Sequence, residues 1–314
     1  MKIGHIAPIN FNIPNGRSGP VRVFIDLNSA LSSQKDINLK VFGCKNSLVD
    51  GKLEYIYDKE LNSLKEFNNA SRIDKGLFFL KQISYAYQFK NAVDIYISHL
   101  AKWTLPISSL IKDKKTILIL HNITDTLLNK LGNFNKPNIH FVCLSKAISD
   151  IFAKHADNFS IIHNGIDTNS IIPRYEKKNY FLFVGRLTEA KAPDIAIKAC
   201  IKHKRKLVII GKPVAGEKLD IEFWEKNVKP FLDNEFITYI PEIEHNKIFN
   251  YYQNAKALIF PMRNYKKEGM PLVVAEALAS GTPVVSLKNP LSSELINEKV
   301  GYLASDEDSL IEEF

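Results

Sequence analysis

The feature that most constrains this chain is a rhythm: short β-branched, apolar runs alternate with helical patterns, stop, and start again. Runs at Lys2–Ala7, Leu39–Gly43, Asp94–Ser98, Lys115–Leu120, Ile139–Leu144 and Phe159–His163 have helical periodicity between them, beginning with Val21–Leu31. A polar stretch from Asn164 to Lys178, broken by Pro173, interrupts the pattern and reads as a hinge. The alternation resumes at Tyr180–Val184, Lys206–Ile210, Phe236–Ile240, Ala257–Phe260 and Pro283–Ser286. Such alternation is the signature of an α/β fold with a mainly parallel sheet. Two rounds of it predict two doubly wound, Rossmann-like units, residues 1–168 and 169–314. At 314 residues the chain also exceeds what one hydrophobic core usually supports. Ligands of such sheets bind outside the carboxyl ends of the strands, so two units facing each other are expected to form a site in a central cleft.

Composition narrows the classes. No run of about 20 apolar residues occurs, and Met1-Lys2-Ile3-Gly4-His5 leads straight into a strand, so neither a membrane span nor a signal peptide is expected. Cys44, Cys143 and Cys200 are odd in number, far apart and set in apolar runs. They suit reduced buried thiols in a cytoplasmic protein better than disulfides or zinc ligands. The net charge of +8 is uneven: residues 1–170 hold 21 Lys and Arg against 14 Asp and Glu, leaving +1 for the remainder. No zinc spacing, RNP-type aromatic motif or dense arginine block points to nucleic acid. The basic half suits an anionic lipid surface or a phosphorylated substrate, and equally a set of solubilising lysines. The aromatic helical stretch Lys75–Ala92 fits either a membrane-facing or acceptor-facing amphipathic helix or one packed on the core.

Chemistry concentrates in two places. In Gly185-Arg186-Leu187-Thr188-Glu189-Ala190-Lys191 an apolar strand ends in glycine and two cations five apart straddle the start of the next helix. Free N–H groups at a helix N-terminus together with Arg and Lys make a diphosphate clamp; a solvated face has the same composition. In Glu268-Gly269-Met270-Pro271-Leu272-Val273-Val274-Ala275-Glu276, Pro271 fits the first turn of a helix and Gly281 its stop. Glu268 then lies in a loop, able with the adjoining amides to hold sugar hydroxyls. Glu276 lies on the helix, able to accept both hydroxyls of a ribose or to sit in a buried ion pair. The acidic Asp306-Glu307-Asp308 follows Ser305 at a helix start, where it complements the helix dipole rather than a metal.

Together these elements resemble the retaining glycosyltransferases of family GT4, with the GT-B fold. The resemblance extends over nearly the whole chain: Gly16-Arg17-Ser18-Gly19 after the first strand, Asp94 to His99, His121, Ser145 opening a helix, Ile162 to Asp167, the Gly-Arg-Leu…Lys segment and the E-x7-E element. It implies Arg186 and Lys191 on the diphosphate of a nucleotide-sugar donor, Glu276 on its ribose, and Glu268 with Gly269, Met270, Pro271 and Leu272 on its sugar. It also implies His121 beside the transferred sugar, with His99 as second choice. Gly19 would let the backbone approach the donor, since a side chain there would intrude. Ala192 stands where the family commonly has glycine, and relatives usually continue beyond Phe314 into helices that cross back to the first domain. The implied activity is transfer, with retention, from a UDP- or GDP-linked sugar to a glycan or lipid-linked acceptor, in surface polysaccharide or glycolipid assembly at the inner face of the membrane. No metal or other cofactor is expected, because the two cations neutralise the leaving group.

Three alternatives stay open. A phosphorylase or a nucleotide-sugar epimerase would share the fold. A noncatalytic subunit that stabilises an active partner would not need Arg186, Lys191, Glu268 and Glu276. A nicotinamide-dependent dehydrogenase is disfavoured, because no G-x-G-x-x-G joins a strand to a helix.

Overall fold

Parallel strands cannot be joined by a tight turn, so each must be followed by a segment that crosses back over one face of the sheet. The computed structural model, which describes residues 1–11, 13, 18–122, 135–213, 218–232, 235–265 and 268–313, carries out this plan twice. The two compact units are Met1–Gly165 and Ile166–Phe314.

The first unit runs β1 (Lys2–Ile6), α1 (Gly19–Ser32), β2 (Asn38–Gly43), β3 (Lys52–Tyr55), α2 (Lys65–Asn69), α3 (Arg72–Gln88), β4 (Ile95–Ser98), α4 (Ala101–Leu110), β5 (Lys115–Leu120), β6 (Ile139–Cys143), α5 (Lys146–Phe152) and β7 (Phe159–Ile161). Among the described residues its strands form one parallel sheet in the order β3-β2-β1-β4-β5-β6-β7. The second unit runs β8 (Phe181–Val184), α6 (Pro193–Lys202), β9 (Leu207–Ile210), α7 (Lys218–Asn227), β10 (Ile237–Ile240), α8 (His245–Asn254), β11 (Leu258–Ile259), α9 (Leu272–Ala279), β12 (Val284–Leu287), α10 (Pro290–Leu295), β13 (Gly301–Ala304) and α11 (Glu307–Glu312). Its described strands are also parallel, in the order β10-β9-β8-β11-β12-β13. These are two Rossmann-like sheets, as the alternation predicts. In each, the strand order reverses direction once, between β1 and β4 and between β8 and β11, and the crevice at such a switch point is where open α/β sheets hold ligands.

Two strands are absent from the sequence reading, β3 and β13, and both are edge strands. Their reason is chemical: Lys52-Leu53-Glu54-Tyr55 mixes charge into the run, and Gly301-Tyr302-Leu303-Ala304 contains residues with little strand preference. The central strands are legible because they are buried on both faces; Leu118, Phe141 and Cys143 of the first sheet pack with Ile148 and Phe152 of α5, and Leu182, Phe183, Ile209 and Leu258 are buried in the second.

The aromatic helix α3 packs inward. Phe79, Ile83, Ala86 and Tyr87 are buried, the Phe79 ring stacks on Trp103 of α4 with centroids 5.6 Å apart, and Gly76 sits so close to Trp103 that a Cβ there would lie 2.6 Å from its ring. Its other side leaves Ile73 and Leu77 exposed. No helix among the described residues is long and apolar enough to cross a membrane.

Candidate active-site residues

The C-terminal unit builds its polar cluster at the switch point. β8 ends at Val184, and Gly211, just past neighbouring β9, comes so close that a Cβ there would stand 1.8 Å from the Gly185 carbonyl oxygen. Leu187 N–H then donates to the Lys212 carbonyl at 3.0 Å. That turn leaves Arg186 exposed at the strand end and aims Lys191 inward. Lys191 closes a single 3₁₀ turn, Glu189–Lys191, and α6 starts only at Pro193. The expectation that Lys191 belongs to the helix is therefore corrected. Proline suits the first helical position. Ala192 before it takes the left-handed conformation, φ 54°, ψ 51°, at the position where the resembled family commonly has glycine.

Lys191 is only 8% exposed. Its ammonium forms an ion pair with Glu268 and lies 5.0 Å from the centroid of the Phe260 ring. Burial lowers its pKa below the usual lysine range; Glu268 works against that shift and Arg186 adds to it. The structure thus joins Glu268, which precedes α9, to Lys191, which precedes α6. Gly269 and Met270 continue from Glu268, and Pro271 is the N-cap of α9 rather than its first residue, with Leu272 opening the helix. A proline cap has no side-chain oxygen to offer, and no side chain caps this helix. Gly281 ends the segment in the left-handed region, φ 73°, as its helix-stop role requires.

Glu276 lies one turn into α9 and is 5% exposed. His245 Nε2 donates to Oε1 at 2.8 Å, and the Tyr252 hydroxyl donates to Oε2 at 3.1 Å. A carboxylate oxygen has two acceptor directions, so each oxygen can still take one more donor. Burial, with the Glu276 charge beside it, holds the Tyr252 hydroxyl well above its ordinary pKa.

Sequence reasoning missed three parts of this framework. His245 and Tyr252 are seven apart on α8, hence on one helix face, a spacing that was available to be read. Arg263 was not foreseen at all. Its guanidinium bonds both oxygens of Asp194, at 3.3 and 3.0 Å, reaches Glu307 Oε2 at 2.9 Å, and donates to the Glu189 carbonyl at 3.2 Å. Asn264 N–H donates to the Ala190 carbonyl at 3.2 Å. These contacts tie the loop that carries Glu268 to the turn that carries Lys191. Asp306 caps α11 by accepting from Ser309 N–H at 2.7 Å, the helix-start role expected of it.

In the N-terminal unit Gly16 and Arg17 lie outside the described residues. Ser18 caps α1, accepting from Val21 N–H at 3.4 Å, and a Cβ on Gly19 would meet nothing within 4 Å. Among the described residues no contact requires glycine at position 19. His121 follows β5 and is partly exposed. Its Nε2 lies 2.8 Å from His99 Nδ1, just past β4, and His99 Nε2 lies 3.0 Å from His5 Nε2 on β1. His5 Nδ1 lies 3.2 Å from Asn28 Oδ1 on α1. His5 is fully buried, and burial lowers it to about 4; burial likewise lowers His121 to about 4 and His99 well below its ordinary value. His99, a second choice from sequence, is thus the middle of a row whose inner members sequence did not connect.

Comparison with known proteins fits this geometry. Residues 167–313 match the family model of glycosyl transferases group 1. The O-antigen chain mannosyltransferase RfbU of Salmonella typhimurium is 26% identical over 185 residues, 54% of this chain and 48% of that protein. A D-inositol 3-phosphate glycosyltransferase of Acidothermus cellulolyticus is 23% identical over 164 residues, 46% of this chain and 36% of that protein. The chain thus spans about half or less of these relatives. The crystal structure of HepE from Anabaena, in complex with UDP and glucose, superposes with a TM-score of 0.69 at 15% identity, over 99% of this chain and 88% of that one. The fold is that of the GT-B glycosyltransferases.

Proposed function

Residues 167–313 match the family model of glycosyl transferases group 1, and from that premise we infer that this protein transfers a sugar from a nucleoside diphosphate to an acceptor hydroxyl. The observation that carries the inference is the buried pair of Lys191 and Glu268 at a sheet switch point, with Arg186 beside it. A diphosphate is the ligand that would draw both cations at once: it offers several anionic oxygens, and charge grows on it as the glycosidic bond breaks. When the ammonium of Lys191 turns to phosphate, Glu268 gains a free lone pair for a sugar hydroxyl. The uncapped amides at the start of α9 face the same chemistry. Glu276, with one acceptor direction left on each oxygen, takes the two ribose hydroxyls while His245 and Tyr252 hold it in place.

Transfer proceeds with retention. As the resemblance to the retaining family implies, the departing phosphate oxygen takes the acceptor proton on the same face. Arg186 and Lys191 supply the neutralising charge, and divalent metal is not needed; a chelator should leave the rate unchanged. The donor carries UDP or GDP; UDP is the nucleotide held by HepE. The acceptor is a glycan or lipid-linked glycan of surface polysaccharide assembly, met in the cytoplasm at the membrane surface, where the basic N-terminal half favours anionic lipid.

Calorimetric titration with UDP, GDP and ADP tests the core of this reading. One nucleotide should bind, and Arg186→Ala should weaken it by about 10- to 100-fold, the worth of a charge-assisted hydrogen bond. Binding of none of the three would turn the reading toward a noncatalytic subunit. Product of inverted configuration, observed by NMR, would overturn the retaining mechanism.

A further inference from the structure

The row Asn28–His5–His99–His121 carries more than a set of contacts, because its hydrogen bonds can be satisfied in one direction only. The amide of Asn28 is oriented by its own donor: Nδ2 gives its proton to the Asp50 carbonyl at 3.1 Å, so Oδ1 faces His5. An amide oxygen only accepts, so His5 Nδ1 carries its proton and Nε2 is a lone pair. A neutral imidazole has one N–H and one lone pair. His99 must therefore donate from Nε2 to His5 and accept at Nδ1, and His121 must donate from Nε2 to His99. Each other assignment sets two lone pairs or two N–H groups against each other at 2.8 to 3.2 Å. The last atom in the row, Nδ1 of His121, is left without a proton.

The surroundings keep this row uncharged. The His5 and His99 rings lie 4.4 and 5.4 Å from the Phe24 ring, centroid to centroid, and among the described residues the groups that act on them electrostatically are Asn28, His121 and one another. A proton added to His5 or His99 would break the row, and its charge would be buried with no counterion among the described residues. Burial holds all three imidazoles neutral at pH 7. The rings cross the sheet along β1, β4 and β5 at its carboxyl ends, spanning the switch point between β1 and β4. They emerge at His121, which is partly exposed.

We propose that Asn28, His5 and His99 are positioning residues whose hydrogen-bond polarity leaves Nδ1 of His121 bare, so that His121 meets the sugar substrate as an acceptor for one of its hydroxyls and not as a proton donor. This rests on the glycosyltransferase reading for the identity of the ligand, while the direction of the row rests on the structure alone.

Long-range proton–nitrogen NMR of the full chain labelled with ¹⁵N-histidine tests the row without any donor or acceptor present. At pH 7, His5 should appear as the Nδ1–H form and His99 and His121 as the Nε2–H form, with assignment from His5→Asn and His121→Asn. Detection of His121 as the Nδ1–H form or as imidazolium at pH 7 would overturn the proposal, whatever the activity. Glutamine retains one donor and one acceptor about as far apart as the two ring nitrogens, so His99→Gln should keep the His121 signature and hold kcat/KM within about threefold. His99→Leu should give mixed His121 tautomers and a loss of about tenfold, the worth of one hydrogen bond. Equal activity of the Gln and Leu variants would overturn the positioning role. If no nucleotide sugar supports transfer, the glycosyltransferase reading fails while the spectra still decide the direction of the row.

Discussion

In the N-terminal unit four polar side chains, Asn28, His5, His99 and His121, are joined end to end without a formal charge; in the C-terminal unit Lys191 and Glu268 meet as ammonium and carboxylate. Both groups stand at the carboxyl edge of a parallel sheet, at its switch point, yet they respond to perturbation differently. A neutral row has a direction and holds it, because reversing one ring leaves two buried groups unsatisfied. A charge pair has no such memory: each partner can exchange the other for a ligand, and the cost appears only when one is left alone. The comparison suggests a division of labour, with rigidity in the histidine row and exchange in the ion pair.

The sharpest way to break this contrast is to orphan one charge. Lys191→Met leaves the Glu268 carboxylate half-buried without its counterion and should cost about 3 to 5 kcal/mol in chemical denaturation. The double variant Lys191→Met with Glu268→Leu should recover most of that stability and still bind no nucleotide; a stable single variant would mean that the pair is screened by solvent.

Acid should strike the other unit. His5 titrates near 4 in the folded chain against 6.5 ordinarily, so the unfolded chain takes up the proton first. Stability is therefore complete above pH 6.5, falls as the pH drops through that value, and levels off below about 4. Between pH 7 and 5 the loss from His5 alone is about 2 kcal/mol, and His5→Asn should make the stability curve shallower over this range, His99 and His121 still contributing.

Smaller effects sharpen the account of the C-terminal framework. Glu276→Ala removes the acceptor of the buried Tyr252 hydroxyl and should cost about 1 to 3 kcal/mol; adding Tyr252→Phe should return part of it. Ala192→Gly relieves a left-handed residue and should raise stability by about 1 kcal/mol, read as a shift in the denaturation midpoint. No gain would mean that the Ala192 methyl, which is fully buried, contributes packing of equal size.

Much of the candidate site is legible in the sequence. Arg186, Lys191, Glu268 and Glu276 lie in two short segments, and the strand–helix alternation fixes which end of the sheet they occupy. Partnerships across long separations are not legible there. His5 sits in an ordinary strand pattern, and nothing in residues 1–10 signals that it meets His99 and, through it, His121. Arg263 looks like one more loop cation, although it joins Asp194 to Glu307. The inward packing of one face of α3 rests on Trp103, whose ring lies where a side chain on Gly76 would stand.

Local order along the chain determined the two parallel sheets, their core strands, and the glycine stop at Gly281, because periodicity and backbone preference act between near neighbours. Tertiary structure alone decided that Lys191 pairs with Glu268, that His245 and Tyr252 hold Glu276, and that three histidines form a directed row. Those are contacts between residues 22 to 94 positions apart, the extremes being His99 with His121 and His5 with His99. Hydrogen bonds and ion pairs act over about 3 to 4 Å, and only the packing of strands against strands brings such residues within that reach.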